Sequence, residues 1–245
     1  MNADRYDVLV IGAGPAGMAA ACTAAEAGSR VVVVDAAGSP GGQFWRNADA
    51  GPRLHHRHGA YRRLRARATT AGVRLAAEHT VQTVRADADG FTLACAVGAE
   101  PRTAQELTTL RGHRLIIAIG AYDRQMPFPG WDLPGVLAAG GVQALLKAHG
   151  VRAGARVVVA GTGPLLLPVA DALIRSGARV PAILDANSPT GFARHPAALA
   201  GSIGKLGEAA GYAARLALAR TPYPRRQAVV AALGDERIEA VRVAR

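Results

Sequence analysis

The sequence predicts an α/β fold built twice around the same unit: a short buried parallel strand, a glycine turn and a helix. Three observations carry this reading. Asp7 to Gly17, DVLVIGAGPAG, joins the apolar run Val8 to Ile11 to Gly12, Gly14 and Gly17 in a G-x-G-x-x-G spacing. A second apolar run, Val31 to Val34, ends in Asp35, roughly 20 residues beyond those glycines. Arg156 to Ala160 then begins the pattern again, followed by Gly161 and Gly163.

An unbroken apolar run suits a strand covered on both faces better than a half-exposed antiparallel one. Gly12 permits the tight turn, Gly14 lets the backbone approach a pyrophosphate, and Gly17 lets the next helix pack closely on the sheet. Pro15 and Ala16, inside the motif, count with these glycines as binding residues. The helix runs through Met18 and its alanines to a stop at Gly28. Its first amides lack partners within the helix and its dipole is positive at that end, so a diphosphate fits there. Asp35 stands where an acid holds the adenosine ribose hydroxyls, and it would repel a 2′-phosphate. Strand, turn, helix, strand and acid thus arrive in the order of a Rossmann-like adenine-dinucleotide site. A glycine-rich turn in some other α/β protein does not reproduce that order.

Composition bounds the rest. With 245 residues, half of them hydrophobic, the chain can bury a core and is expected to form two small domains. No run of eighteen or more apolar residues occurs, and the start is polar, so neither a membrane span nor a signal peptide is expected and the default location is cytoplasmic. Cys22 and Cys95 form no C-x-x-C and no metal-ligand spacing, which points to packing and away from redox work. The net charge of +11 would suit nucleic acid, yet aromatic residues are only 4% and the arginines follow no recognisable binding module. The arginine excess reads as coding bias, with an acidic partner surface as the functional alternative. His55, His56 and His58 lack a carboxylate or cysteine at ligand spacing, so they read as a solvated loop and no metal site is expected. Arg62, Arg63, Arg65 and Arg67 read as the solvated face of a helix over about Tyr61 to Ala71.

After Asp35 the loop Gly38-Ser39-Pro40-Gly41-Gly42-Gln43 exposes backbone amides, and here the sequence resembles the thioredoxin-reductase-like flavoproteins with two dinucleotide-binding domains. The resemblance implies FAD at the first site, with Gly41, Gly42 and Gln43 along its pyrophosphate and ribityl chain. Val81 to Val84, Phe91 to Val97 and Leu115 to Ile119 read as short strands, a β-meander leading back to the parallel sheet. Leu115 to Ala121 resembles the family's buried strand ending in A-x-G, which implies Ala118 and Gly120 at the flavin. By the same resemblance the Val81 backbone meets the adenine. Pro127, Pro129 and Pro134 mark a crossing between domains, and a helix over about Gly140 to His149 leads into the second half. There Gly161 and Gly163 form the second nucleotide-binding turn, but Leu166 occupies the third glycine position. A leucine there must push helix and sheet apart or change the turn, which counts against NAD(P) at this site. Val180 to Leu184 with Asp185 supplies the second strand and its acid. The expected domains are 1–121, FAD-binding; 122–153, the crossing; and 154–245, a second Rossmann-like unit of NAD(P) type, incomplete at its C-terminus.

Tyr122-Asp123-Arg124, Phe128-Pro129-Gly130, Leu133-Pro134-Gly135-Val136 and Gly163-Pro164-Leu165-Leu166-Leu167-Pro168 are similar to motifs of a narrower group. These are the FAD-binding A or alpha subunits of opine oxidases, heteromeric proline or hydroxyproline dehydrogenases and hydrogen cyanide synthase, and more distantly the alpha subunit of sarcosine oxidase. The resemblance implies electron relay from an amino-acid-oxidase-like subunit that oxidises the amine, together with a small iron–sulfur partner, and no catalytic acid, base or nucleophile on this chain. Arg226 to Arg245 reads as two strands around Gly234-Asp235-Glu236. Family members continue beyond this with a G-x-G-F-like segment that completes the flavin site, so the chain is expected to be C-terminally truncated. Two alternatives stand beside this reading: a self-sufficient NAD(P)H-dependent flavin oxidoreductase, and a truncated non-catalytic nucleotide-binding fragment.

Overall fold

A computed structural model describes residues 5–46, 58–98, 106–188 and 203–245. It divides into two units, Met1–Ala121 and Tyr122–Arg245.

The first unit is centred on β1 (Arg5–Ile11), whose central residues Leu9 and Val10 are fully buried, as a strand flanked on both edges and both faces must be. It pairs in parallel with β2 (Val31–Val34), Val8 opposite Val31 and Ile11 opposite Val34. The four valines of β2 are all buried, which the β-branched side chain suits. Short strand β3 (Arg74–Ala76) extends the parallel set beyond β2.

Between β1 and β2 lies α1 (Pro15–Glu26). Its small residues let it sit close to the sheet, and Met18, Ala21 and Cys22 pack on Val8, Val10, Val31 and Val33. Gly28, at φ +88°, turns the chain out of the helix. The second helix, α2 (His58–Thr70), adds Ala68 to the same cluster and joins α1 at the surface through Arg67 and Glu26, 2.7 Å apart. Its Arg62, Arg63, Arg65 and Arg67 are exposed. Of the three clustered histidines, His58 opens α2, while His55 and His56 lie outside the described residues.

The other edge of β1 carries β6 (Glu106–Ile117), Leu9 opposite Leu115, followed by antiparallel β5 (Gly90–Val97) and β4 (His79–Asp87). The six-stranded order is β3-β2-β1-β6-β5-β4. The third meander strand and the returning parallel strand are therefore one element. The first half of β6 pairs with β5 and its second half pairs with β1. Along β5 the side chains alternate: Leu93 and Cys95 enter a cluster with Tyr6, Leu9 and Val34, so Thr92 and Ala94 point the other way. The expectation of a buried strand through Leu115–Ile119 is corrected here. Ile117 and Ile119 are 65% and 66% exposed, because the described residues cover only the other face of the strand end, where Ile116 and Ala118 pack against α1.

The second unit contains α3 (Ala139–His149), β7 (Val159–Gly161), α4 (Leu166–Arg175), β8 (Ile183–Asp185), α5 (Ile203–Leu218) and a closing hairpin of β9 (Ala228–Leu233) and β10 (Ala240–Ala244). Strands β7 and β8 run parallel, and a bridge from Asp185 to Arg225 continues the direction. Leu166, Val169, Leu173, Ile183 and Leu216 form the core. Asp171 of α4 is buried and paired with Arg215 of α5 and Arg175 of its own helix, tying α5 in place. The Asp123 carboxylate accepts the Gly140 amide at the start of α3, a cap supplied from a distant part of the chain. No helix among the described residues is long and apolar enough to cross a membrane.

Candidate functional site

In the first unit the glycine turn is clasped between neighbouring strand ends. Gly12 donates to Val34 at 2.8 Å, and Ala118 donates to Ile11 at 2.8 Å. Gly12 has φ +101°, and a Cβ there would lie under 3.0 Å from the Ala118 carbonyl oxygen, so only glycine fits. A Cβ on Gly17 would lie under 3.0 Å from the Gly12 carbonyl oxygen and 3.2 Å from the Ala118 methyl. These two glycines thus serve close packing of turn, helix and β6. Gly14 differs, because a Cβ added there meets nothing nearer than Gly42 Cα at 4.0 Å. Its freedom is space left beside the backbone, which is what an approaching group uses.

Helix α1 starts at Pro15 directly after Gly14, with no side-chain cap and no acidic residue in its first turn. Pro15 has no amide to satisfy and the Met18 amide donates to Gly14 at 3.0 Å, while the amides of Ala16 and Gly17 fall within the first turn, where a helix offers its own N–H groups no carbonyl. The end of the dipole is left without a countercharge from its own first turn.

The second glycine segment closes on this turn. Gly41 donates to the Ala13 carbonyl at 2.8 Å, and a Cβ on Gly42 would sit 3.0 Å from Gly14 Cα, so the two loops meet backbone to backbone. Behind them is a support that the sequence did not disclose. Trp45 donates from its amide to Gly41, and its indole packs against Tyr61 with ring centroids 5.6 Å apart. The Tyr61 hydroxyl donates to the Pro40 carbonyl at 3.2 Å. Both aromatic residues are buried. Trp45 lies two residues after Gln43, and that proximity was the available signal.

Asp35 closes the other side. Its Oδ2 accepts the Ala13 amide at 2.5 Å and its Oδ1 accepts the Ala37 amide at 2.8 Å, while the residue stays half-buried. Each oxygen has accepted one donor and retains room for another. The Asp35 carbonyl accepts the His79 amide, which starts β4 beside the acid. Val81 follows on this edge strand at a bulge: Val81 pairs with Cys95 and Thr83 with Ala94, leaving Gln82 as the extra residue. Gly12, Gly14, Pro15, Ala16, Gly17, Asp35, Gly41, Gly42 and Ala118 are thereby gathered at one end of the sheet. Gln43 is exposed and accepts a hydrogen bond from Arg46 at 3.1 Å. Gly120, at φ +75°, is exposed past the end of β6.

Gly161 and Gly163 form a different turn in the second unit. The Leu166 side chain enters the core and lies beside Gly161, 3.3 Å from where a Cβ would stand. The helix starts instead with tight bonds, Leu166 donating to Gly163 at 3.4 Å and Leu167 to Pro164 at 3.2 Å. Asp185 is 2% exposed; its Oδ1 accepts the Asn187 amide at 2.9 Å and its Oδ2 the Tyr223 hydroxyl at 2.8 Å. Burial and that bond push the Tyr223 hydroxyl up to about 12.

Both cysteines are free and buried in separate clusters, and burial pushes both thiols above their ordinary range. Neither is poised as a nucleophile. Among the described residues no group of His, Cys, Asp and Glu could hold a metal ion.

The chain is similar to several known proteins. The A chain of the opine oxidase of Rhizobium meliloti (strain 1021) is 38% identical over 209 residues, covering 80% of this chain and 43% of that protein. The alpha chain of the sarcosine oxidase of Corynebacterium sp. (strain P-1) is 34% identical over 208 residues, covering 80% of this chain and 21% of that protein. The present chain thus spans less than half the length of these curated relatives. The crystal structure of T. acidophilum thioredoxin reductase shares the fold, with TM-score 0.62 and 18% identity, covering 98% of this chain and 70% of that one. The family model described as pyridine nucleotide-disulphide oxidoreductase matches residues 6–201, and the chain belongs to that family.

Proposed function

We propose that this chain is the FAD-binding part of an oxidoreductase subunit that relays electrons from an amine- or imino-acid-oxidising partner. The observation that carries the proposal is the bare backbone at Gly14, where an added Cβ would meet nothing nearer than Gly42 Cα at 4.0 Å, next to the uncapped start of α1, the Gly41-Gly42 backbone and the Asp35 carboxylate that accepts the Ala13 amide. Those groups fit the adenosine diphosphate half of FAD: amides for the diphosphate, a half-buried acid for the ribose, and glycines where backbone must come close. FAD, when bound, supplies reversible uptake and release of an electron pair. The chain's own residues bind and orient. Gly12 and Gly17 fix the turn on β6, Trp45 and Tyr61 hold the Gly41-Gly42 loop against it, and Asp35 accepts ribose hydroxyls through lone pairs its two amide partners leave free. Ala118, Gly120 and Gln43 would border the flavin, and Val81 would meet the adenine through its edge-strand backbone.

The curated relatives are named as subunits, which supports a partner. On this reading the partners are an amino-acid-oxidase-like flavoprotein and a small iron–sulfur protein. The second turn weighs against a self-sufficient NAD(P)H-dependent enzyme, because Leu166 and Leu167 spend their amides on the turn and Asp185 is covered by Tyr223.

The test is an absorbance spectrum of the purified chain before and after excess FAD, with gel filtration to remove free cofactor. Retained flavin bands that NADH and NADPH do not bleach support the proposal. Absence of retained flavin overturns it and leaves a non-catalytic nucleotide-fold fragment, while rapid bleaching by a nicotinamide nucleotide would make the chain a self-sufficient reductase.

A further inference from the structure

A second feature lies away from the glycine turn, on the face of the meander opposite the Leu93 and Cys95 cluster. The strand registers place Arg85 opposite Thr92, Thr92 opposite Arg111, and Arg111 opposite Arg5. One row across β4, β5, β6 and β1 therefore carries three guanidinium groups. Adjacent strands are about 4.8 Å apart, so Arg5 and Arg111 are immediate neighbours of like charge. Such a pair directly opposite destabilises a sheet unless something offsets it. The row lines a groove of about 360 Å³, with Thr83 in the next row along and Phe91 at its side.

Among the described residues no carboxylate neutralises the charges in this groove. Among the described residues the Arg85 and Arg111 guanidinium groups make no hydrogen bond or ion pair, and Arg5 Nε is buried with no hydrogen-bond partner. Arg5 is held by its terminal nitrogen on the Asp89 carbonyl and lies 3.4 Å from His113 Nδ1. Two acids, Asp87 and Asp89, stand at the hairpin end of the groove. Asp87 Oδ1 accepts the Asp89 amide at 2.9 Å and so serves the turn. Neither carboxylate pairs with any of the three arginines.

We propose that this groove is an oxyanion site, in which Arg5, Arg85 and Arg111 bind a phosphate-class dianion with the Thr83 and Thr92 hydroxyls as additional donors. A planar guanidinium presents paired donors matched to such oxygens, and an anion seated between Arg85 and the Arg5–Arg111 pair offsets the repulsion in the row. This inference does not depend on FAD at the glycine turn.

The experiment is calorimetric titration of the full chain with inorganic phosphate at constant ionic strength. The parent chain is compared with the double variant Arg85→Gln/Arg111→Gln and with Arg62→Gln/Arg63→Gln on the exposed face of α2. Saturable one-to-one binding is expected, weakened at least about tenfold in the groove variant, since two charge-assisted contacts are lost, and changed by less than about twofold in the helix variant. Thermal melting checks that the double variant folds. Should it not fold, Arg85→Gln alone, on the exposed edge strand, still weakens binding by about threefold or more. Phosphate affinity that ignores the groove substitutions puts the ion at the glycine turn and overturns the proposal. So does an absence of saturation in the parent chain, or binding of polyglutamate without binding of phosphate, which would make the face a docking surface for acidic polypeptide.

Discussion

Gly14→Ala separates fold from ligand in a way the other fingerprint glycines do not permit. Gly14 has φ −70° and ψ −179°, a conformation open to any residue, and the added methyl meets only Gly42 Cα at 4.0 Å. As the N-cap of α1, alanine is a poorer residue than glycine, so a stability loss of about 1 kcal/mol is expected. The methyl occupies the space assigned to the diphosphate. Displacing it from the amides of the first helical turn removes one or two charge-assisted hydrogen bonds, together about 3 kcal/mol, which is roughly 150-fold in FAD affinity. Gly17→Ala is the contrast. Its Cβ would overlap the Gly12 carbonyl oxygen, backbone against backbone, and the overpacking costs about 3 kcal/mol or more in stability. The assay pairs FAD titration, followed by flavin fluorescence, with thermal melting of each variant. A Gly14→Ala protein that folds cooperatively, with no more than the stability loss of about 1 kcal/mol expected at the N-cap, and binds FAD within about threefold of the parent would refute the placement of the diphosphate at this turn.

Three further outcomes follow from named contacts. Tyr223 is held protonated by burial and by Asp185, up to about 12 from an ordinary 10, so its contribution to stability is full below pH 10 and is lost as pH rises toward 12. Alkaline denaturation curves should therefore show a decline over that window in the parent chain that Tyr223→Phe lacks, with the variant less stable at pH 8 by about 1 to 2 kcal/mol. Asp123→Ala removes the carboxylate that accepts the Gly140 amide at the start of α3 and should lower stability by about 1 kcal/mol in urea titration. Arg215→Ala removes the guanidinium group that ties the buried Asp171 carboxylate to α5 and should cost about 3 kcal/mol; Asp171→Leu/Arg215→Met, measured in the same titration, should recover most of the loss.

The parts of the fold legible in the sequence are those whose signal is local. The turn from Gly12 to Gly17, the valine strand and Asp35 lie within one strand-helix-strand unit, and each residue type there answers to a nearby steric or hydrogen-bonding demand. The first half of β6 was not legible because ELTTLRGHR is polar and interrupted by Gly112. Its strand identity comes from β5 on one side and β1 on the other, and Gly112 is required because a Cβ there would lie 2.6 Å from Leu9 Cγ. Helix α5 was missed for a related reason. It contains Gly204, Gly207 and Gly211, each unfavourable to a helix, and the compensation lies in buried Tyr212 and Leu216 and in the Arg215 pair with Asp171 on another helix. For the Trp45–Tyr61 support the sequence held only the nearness of Trp45 to Gln43, because the pairing with Tyr61 is a tertiary contact and neither residue belongs to the motif. What the sequence could supply at the site was the set of groups that touch a ligand, and what it could not supply was the packing that holds them.

The two glycine turns show how one topology can keep its shape while its binding chemistry diverges. Each has a strand, a turn opened by a positive-φ glycine (Gly12 in one, Gly161 in the other), a helix and a second strand with an aspartate at its end. In the first, the third glycine brings helix and sheet together, the helix start has no side-chain cap, and Asp35 takes its hydrogen bonds from backbone amides while staying half-exposed. In the second, Leu166 fills the gap between helix and strand with core, and the helix start tightens into bonds that occupy its own amides. The consequence reaches the acid. Asp185 is buried, and a carboxylate withdrawn from water requires donors, so Tyr223 and the Asn187 amide supply them from within the unit. A single change of residue type at the third glycine position is thus accompanied by a change of role at the acid, from a ligand-facing acceptor to an internal hydrogen-bonding node.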